Sequence, residues 1–310
     1  MSLAILCSGQ GGQHPGMFAI TGPVPEAENL FTHAASLLHD RDPRELVRQE
    51  PAAVLHHNRN SQILCTLQAL AAAAALRTAW PGRMVVAGYS VGELAAWGVS
   101  SRFAGEDTLD LAARRAEVMD ASTRPGDGLL FVRGLSQRVL AELCEARGAA
   151  IAIVNPGDAY VVGGARAALL SLADELRSSK VVRVVDMPVE VASHTERLAS
   201  AAPAFRAILD RVAISPVNAG NPRLLSGIDG APVFDTRSGL DKLAAQLSHT
   251  VQWSACLHAC IEAGATAFLE LGPGTALAGM AAATHQGVPA RSVDEFTNID
   301  GVRSWLSKVT

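Results

Sequence analysis

The sequence predicts an α/β protein: a large unit with a parallel sheet covered on both faces, and a smaller ferredoxin-like unit inserted into it. Two patterns predict this. Short apolar runs alternate with helix-like periodicities on either side of the middle of the chain, the order that buries parallel strands between helices. Between them a turn-rich junction, "RPGDG", opens a stretch that scans as βαββαβ, the ferredoxin-like arrangement. The large unit is therefore expected over residues 1–123 and 189–310, and the small unit over 124–188.

In order along the chain, "LAILCSG" reads as a strand and "SQILCTLQALAAAAALRTAW" as a long helix. "MVVAGYS" reads as a strand, and "VGELAAWGVSS" and "EDTLDLAARRAEVMDAS" as helices. The small unit follows as "GLLFVRGL", "SQRVLAELCEARG", "AAIAIVNPG", "AYVVGG", "ARAALLSLADELRSS" and "VVRVVDMPV". Beyond it, "RLASAAPAFRAILDRV" and "SACLHACIEAGA" read as helices and "AFLELG" as another buried strand.

Composition narrows the function classes. The chain has 310 residues, 49% of them apolar and 18% charged, which is enough to bury a substantial core. A formal net charge of −4 argues against a general nucleic-acid or membrane-surface binder, because neither anionic partner is helped by an acidic protein. The run "LAAAAAL" is soon interrupted by Arg77 and Pro81, so no membrane span is expected. The opening "MSLAILCSGQGG" has no basic leader or small-residue cleavage site and reads as a buried first strand. Cys7, Cys65, Cys144, Cys256 and Cys260 are an odd, scattered set, expected as free thiols of a cytoplasmic protein. Cys256 and Cys260 lie one helical turn apart with no second pair beside them, so no metal site is expected.

Gly88-Tyr89-Ser90-Val91-Gly92 falls between a strand and a helix. Gly-x-Ser-x-Gly in that setting is a nucleophile elbow, the corner of α/β-hydrolase-like folds that exposes a strained serine at the carboxyl end of the sheet. Alone the pattern is short; its flanking strand and helix give it weight. A serine needs a base within hydrogen-bond reach. Of nine histidines, His194 is singled out because "MPVEVASHTERL" places it where the chain leaves the small unit, at an expected cleft. His56 and His57 are expected to be solvated, and His258 falls within a helix. The glycine-rich Gly9-Gln10-Gly11-Gly12 stretch is not a nucleotide loop: His14 stands where a dinucleotide fingerprint needs its third glycine, and no Gly-Lys-Ser/Thr follows.

These residues and several others occur in an order that resembles the malonyl-CoA:acyl carrier protein transacylases. They are Gly9-Gln10-Gly11-Gly12-Gln13 with Gly16-Met17, Gly88 to Glu93, Arg115 in "RAEVMD", Asn155 in "IAIVNPG", Ser193-His194, Gln246 in "QLSHTVQW" and "LELGPGTALAGM". The match spans nearly the whole chain. The openings "CSGQGGQHPGM" and "GYSVGELAAWG" look most like the malonate decarboxylase epsilon subunit.

The resemblance implies a role for each matched residue. Ser90 would be the nucleophile and His194 the base, oriented by a backbone carbonyl at Gln246 instead of a carboxylate. The backbone N–H groups of Gln10 and Val91 would form the oxyanion hole, and Arg115 would hold the substrate carboxylate. Gln62 and Asn155 are weaker pocket candidates. It also implies malonyl-CoA as donor and an acyl carrier protein as partner, the malonate decarboxylase carrier subunit in the narrower reading, with no metal or other cofactor. Tyr89 departs from the histidine common before the nucleophile, and His249-Thr250 from a common Asn-Pro. A fatty-acid-synthesis transacylase, a serine hydrolase or thioesterase, and a noncatalytic carrier-docking subunit are the competing readings.

Overall fold

Strand β1 (Leu3–Cys7) is buried along its whole length because both its faces are covered, and its alternation feeds two different layers. Leu3, Ile5 and Cys7 pack with Ile63, Leu67, Leu94 and Trp97 on one side, while Ala4 and Leu6 meet Trp253, Leu257 and Phe268 on the other. The structure, a computed structural model, describes residues 2–177, 182–187, 189–216, 218 and 220–310.

The large sheet has the order β7-β2-β1-β8-β9, with β2 at Met84–Gly88, β7 at Arg223–Leu224, β8 at Ala267–Glu270 and β9 at Ala290–Ser292. Every pairing in it is parallel. Cys7 is in register with Gly88, and Leu6 with Glu270, so the carboxyl ends of β1, β2 and β8 finish side by side. The residues that follow them, Ser8 to Gly12, Tyr89 to Val91 and Leu271 to Gly274, thus share one edge. In open parallel sheets ligands bind at that edge. Behind it runs the helix Asn58–Leu76, apolar on almost every face and therefore a core helix. Its extension to Ala79 has the length and composition of a membrane span, but 78% of that apolar window lies inside the protein.

The smaller sheet is antiparallel, in the order β4-β5-β3-β6, with β3 at Asp127–Arg133, β4 at Ala150–Asn155, β5 at Ala159–Ala165 and β6 at Arg183–Met187. That order and the two helices Gln137–Glu145 and Arg166–Arg177 give the ferredoxin-like arrangement. Both helices cover one face, where Leu140, Leu169 and Leu172 meet Leu130, Val132 and Val162. The opposite face carries Leu129, Ile153 and Val161 into the core that also holds Trp253 and Leu257. Edge strand β4 is capped by a segment of the large unit: Val154 N–H donates to Val251 O and Val251 N–H to Ala152 O, each at 2.9 Å. An otherwise open sheet edge is closed in this way.

The mixed α/β class with an inserted antiparallel sheet agrees with the sequence reading. Some limits differ. The helix read from Arg197 to Val212 is shorter, Ala201–Leu209, preceded by a separate turn at Glu196–Leu198. Ser178-Ser179 of one expected helix, and Val181 and Pro188 of one expected strand, lie outside the described residues.

The elbow is built by close backbone approach. A Cβ on Gly92 would lie 2.1 Å from Cys7 O and 2.8 Å from Ser8 O, and one on Gly88 would lie 2.0 Å from Gly92 C. Only hydrogen at these positions lets the helix Val91–Val99 sit directly over β1. Gly92→Ala is therefore expected to destabilise the protein by about 2 kcal/mol or more, read as a lowered urea midpoint. An unchanged midpoint would show that the contact is not constraining.

Candidate active site

Ser90 is the N-cap of the helix Val91–Val99, with φ 57° and ψ −121°. A positive φ is costly for any residue with a Cβ, and such strain persists only where the surroundings over-determine it. Here Tyr89 N–H donates to Cys7 O at 3.0 Å and Gly92 N–H to Tyr89 O at 2.9 Å, so the corner is tied to β1 and closed on itself. The seryl side chain stays partly exposed at the sheet's carboxyl edge.

His194 also has a positive φ, 62°. Its N–H donates to Leu247 O at 2.8 Å, fixing the strained residue against the segment after the helix Thr236–Ala245. The ring lies between two partners: Nδ1 is 2.6 Å from Gln246 O and Nε2 is 2.8 Å from Ser90 Oγ. A carbonyl oxygen only accepts, so Nδ1 carries the proton and Nε2 presents its lone pair to the seryl hydroxyl. Burial, and then the nearby Arg115 charge, push the His194 pKa down to about 3. The imidazole is therefore neutral, the form a general base requires. One residue on, Thr195 caps a short turn, and Arg197 Nε reaches Asp127 Oδ1 at the start of β3 at 2.6 Å. The histidine loop is thereby tied to the small sheet.

Arg115, on the helix Gly105–Ser122, is fully buried. Its Nη1 donates to Gln62 Oε1 at 2.8 Å and touches Met119 Sδ at 3.2 Å, and its Nη2 donates to Gln246 Oε1 at 3.2 Å. These partners are neutral, and Nε has none. Burial lowers its pKa to about 10, so the guanidinium remains charged at neutral pH. A buried cation with neutral neighbours and an idle donor is suited to receive an anion.

Gln246 joins the two halves. Its carbonyl holds His194 and its side-chain oxygen holds Arg115, while its Nε2 donates to Glu93 Oε2. Glu93 is fully buried on the first turn of the serine's own helix and also accepts from Gly227 N–H at 3.0 Å. Burial pushes its carboxyl up to about 7, against the Gly227, Gln246 and Arg115 interactions that favour its ionised form.

The Gly9–Gly16 loop is held from several sides. Gln13 Oε1 accepts from Gly11 N–H at 2.6 Å, and Gln13 Nε2 donates to Leu55 O at 3.3 Å. His14 Nε2 lies 2.9 Å from Asp294 Oδ2, which also accepts from Gly274 N–H at 2.6 Å. Gln10 Nε2 and Gln62 Nε2 both donate to Asn58 Oδ1, at 3.2 and 2.9 Å, so one asparagine links this loop to the Arg115 cluster. Among the described residues the backbone N–H groups of Gln10 and Val91 donate to no acceptor, which leaves both as donors beside the elbow.

The structure thus brings Ser90, His194, Arg115, Gln246 and Gln62 into one hydrogen-bonded chain, with Gln10 joined through Asn58. Asn155 is buried at the end of β4 with its side chain beside Tyr89, outside that chain. His249, at the other departure from the family pattern, closes back on Ala245 O at 2.9 Å and lies 3.2 Å from Ser248 Oγ. Sequence reasoning did not single out Asn58 or Asp294, and Gln13 lay within a quoted motif without a role. Glu93 lay within the quoted motif, three residues after the serine, without a role. A surface hollow of about 410 Å³ bordered by Val24, Ile299 and Arg303 contains none of these residues. All five cysteines are free and buried; burial pushes Cys260 up to about 12 and the others in the same direction, so they are poor nucleophiles.

The shifts have opposite linkage signs. As pH falls below about 6.5 the unfolded chain takes up a proton that folded His194 refuses down to about pH 3, so this residue weakens folding in that window. Glu93 and Glu270, both held up to about 7, stabilise the fold at low pH, and that contribution is lost as pH rises from about 4.5 through 7. The direct check is site-resolved: nitrogen NMR of His194 is expected to show one neutral Nδ1–H tautomer from pH 8 to pH 5. A second proton gained above pH 6 would contradict the buried, neutral base.

The chain matches the acyl transferase domain family over residues 5–297. It is 31% identical over 302 residues to the malonyl CoA-acyl carrier protein transacylase of Mycobacterium bovis, covering 96% of this chain and 98% of that protein. The transacylase of the same name from Haemophilus influenzae is 26% identical over 316 residues, 98% of both chains. The crystal structure of MCAT from Mycobacterium tuberculosis superposes with a TM-score of 0.89 at 29% identity, covering 98% of this chain and 100% of that one. A type II PKS acyl-carrier protein in complex with its malonyl-transacylase (PlMCAT:AntF) supplies a further fold match, with TM-score 0.89 at 21% identity, covering 99% of this chain and 100% of that one. With nearly its whole length matched, the chain belongs to the acyl transferase domain family and is an acyltransferase.

Proposed function

We propose that this acyltransferase moves a malonyl group from malonyl-CoA to the thiol of a carrier protein through an ester on Ser90. The observation that carries the proposal is the single hydrogen-bonded chain joining a neutral Ser90–His194 dyad to the buried, incompletely partnered Arg115. The names of the curated relatives point to the same donor and acceptor.

In the first half-reaction the Ser90 hydroxyl attacks the thioester carbonyl while its proton passes to His194 Nε2. Negative charge on the carbonyl oxygen is received by the N–H groups of Gln10 and Val91. Collapse breaks the carbon–sulfur bond, and the His194 proton leaves on the CoA thiol. In the second half the carrier's thiol loses its proton to His194, attacks the seryl ester through the same oxyanion hole, and Ser90 recovers its proton as the new thioester forms. The malonyl carboxylate stays on Arg115 throughout, which fixes the carbonyl over Ser90.

Gln246 O polarises His194 less than a carboxylate would. Such a dyad suits a thioester, whose thiol leaving group is better than an amine. The narrower reading, in which the chain is the epsilon subunit of malonate decarboxylase and the acceptor is that complex's carrier subunit, is supported by the "CSGQGGQHPGM" and "GYSVGELAAWG" stretches. Comparing transfer to that carrier with transfer to a fatty-acid carrier protein tests it, and preference for the latter would overturn it.

Intact-mass measurement after exposure to malonyl-CoA is expected to show one malonyl adduct on the wild type and none on Ser90→Ala. An adduct that persists in the variant would defeat the proposal. Arg115→Ala is expected to lower the preference for malonyl-CoA over acetyl-CoA by roughly ten- to a hundredfold, the value of a hydrogen-bonded charge pair. Dominant release of free malonate in the presence of carrier would instead indicate a hydrolase.

A further inference from the structure

We infer that Glu93 is a positioning residue for substrate selection: it sets the orientation of the Gln246 side-chain amide and, through it, the aim of the Arg115 guanidinium at the acyl carboxylate. The inference rests on the proposed malonyl transfer and extends it to a residue whose side chain is hydrogen-bonded to neither Ser90 nor His194.

The reasoning is one of donors and acceptors. An amide side chain has a donor end and an acceptor end of nearly the same shape, so its orientation is set by its neighbours. Gln246 lies between the buried Glu93 carboxyl and the buried Arg115 guanidinium. Glu93 Oε2 accepts from Gln246 Nε2 and from Gly227 N–H, two donors that fix this oxygen as an acceptor, and Arg115 Nη2 can only donate to Gln246 Oε1, at 3.2 Å. Reversing the amide would place two donors against each other at Arg115 and two acceptors at Glu93, each an unmade hydrogen bond in a buried site. Glu93 is itself immobilised. It leaves the first turn of the helix Val91–Val99, and its Oε2 is met by Gly227 N–H at 3.0 Å.

Gly227 is part of the device. A Cβ there would lie 2.6 Å from Glu93 Oε2 and 3.1 Å from Gln246 Nε2, so only glycine lets carboxylate and amide meet. The effect is confined to the arginine side of the site. The Gln246 carbonyl that orients His194 belongs to the main chain, which is held independently by the Gln246 N–H bond to Lys242 O at 2.9 Å. A disturbed amide therefore mis-aims Arg115 while the dyad keeps its geometry. When ionised, Glu93 also offsets part of the charge of buried Arg115 across one intervening residue, and the guanidinium keeps an unpaired Nε for an incoming carboxylate.

The test uses the full-length enzyme with malonyl-CoA and acetyl-CoA as alternative donors. In Glu93→Gln the shape is kept, but the residue presents either an acceptor or a donor to Gln246, so the orientation is no longer enforced. The ratio of kcat/KM for malonyl-CoA over acetyl-CoA is expected to fall about tenfold, mostly through KM for malonyl-CoA. Gly227→Ala, which removes no polar group, is expected to shift the ratio in the same direction; if it does not fold, Glu93→Gln alone decides. A role confined to stability would lower both donors in proportion. An unchanged ratio in Glu93→Gln, beside a wild type that strongly prefers malonyl-CoA, would overturn the inference alone. A wild type with no such preference would overturn both the inference and the proposed malonyl transfer.

Discussion

A guanidinium held out of water governs the arrangement of this site. Arg115 is fully buried and charged, yet its direct partners are two amide oxygens and a thioether. Removing such a charge from water carries a penalty of several kcal/mol that neutral acceptors offset only in part. The nearest compensation is Glu93, reached through Gln246. Much of the surrounding polar structure follows from that need. Gln62 and Gln246 come from elements far apart in the chain, and Asn58 supports Gln62 from one helical turn away. A site organised in this way is electrostatically incomplete until an anion arrives, which is how a binding pocket distinguishes a diacid from a monoacid of similar size.

The proposed reacting groups obey a second constraint, backbone strain held by packing. Ser90 and His194 both take φ values near +60°, and both are locked by main-chain bonds to neighbours that cannot shift, Cys7 for the elbow and Leu247 for the histidine. Gly88 and Gly92 make the first lock possible by letting helix and strand touch through their backbones. The result is a 2.8 Å contact between hydroxyl and imidazole. The orienting Gln246 carbonyl fixes the tautomer without adding negative charge beside Arg115, and a carboxylate in its place would compete with the proposed malonyl carboxylate for that cation.

Local features of the fold and the site were legible in the sequence. Apolar five-residue strands, the helix patterns and the βαββαβ order of the small unit all depend on neighbours within about thirty residues. The elbow was legible for the same reason, since strand, glycines, serine and helix are contiguous. Strands β7 and β9 are two and three residues long and carry no period to detect. Ser90 with His194, and His194 with Gln246, bridge 104 and 52 residues: the first pairing was suggested by the place of His194 at the junction of the two units and supported by the family resemblance, and the second rested on the resemblance. Glu93 remained silent because its partners Gly227 and Gln246 are 134 and 153 residues away, and nothing in a first-turn glutamate distinguishes a buried carboxylate from a solvated one. Asp294, 280 residues from His14, was hidden in the same way.

The claim that the catalytic serine and the buried arginine grip opposite ends of one short diacid can be observed directly. A crystal structure of the enzyme acylated by malonyl-CoA without a carrier should show the ester on Ser90 Oγ and the free carboxylate within about 3 Å of the Arg115 guanidinium. A carboxylate turned toward solvent or seated on another cation, or an acyl group on a different residue, would contradict it.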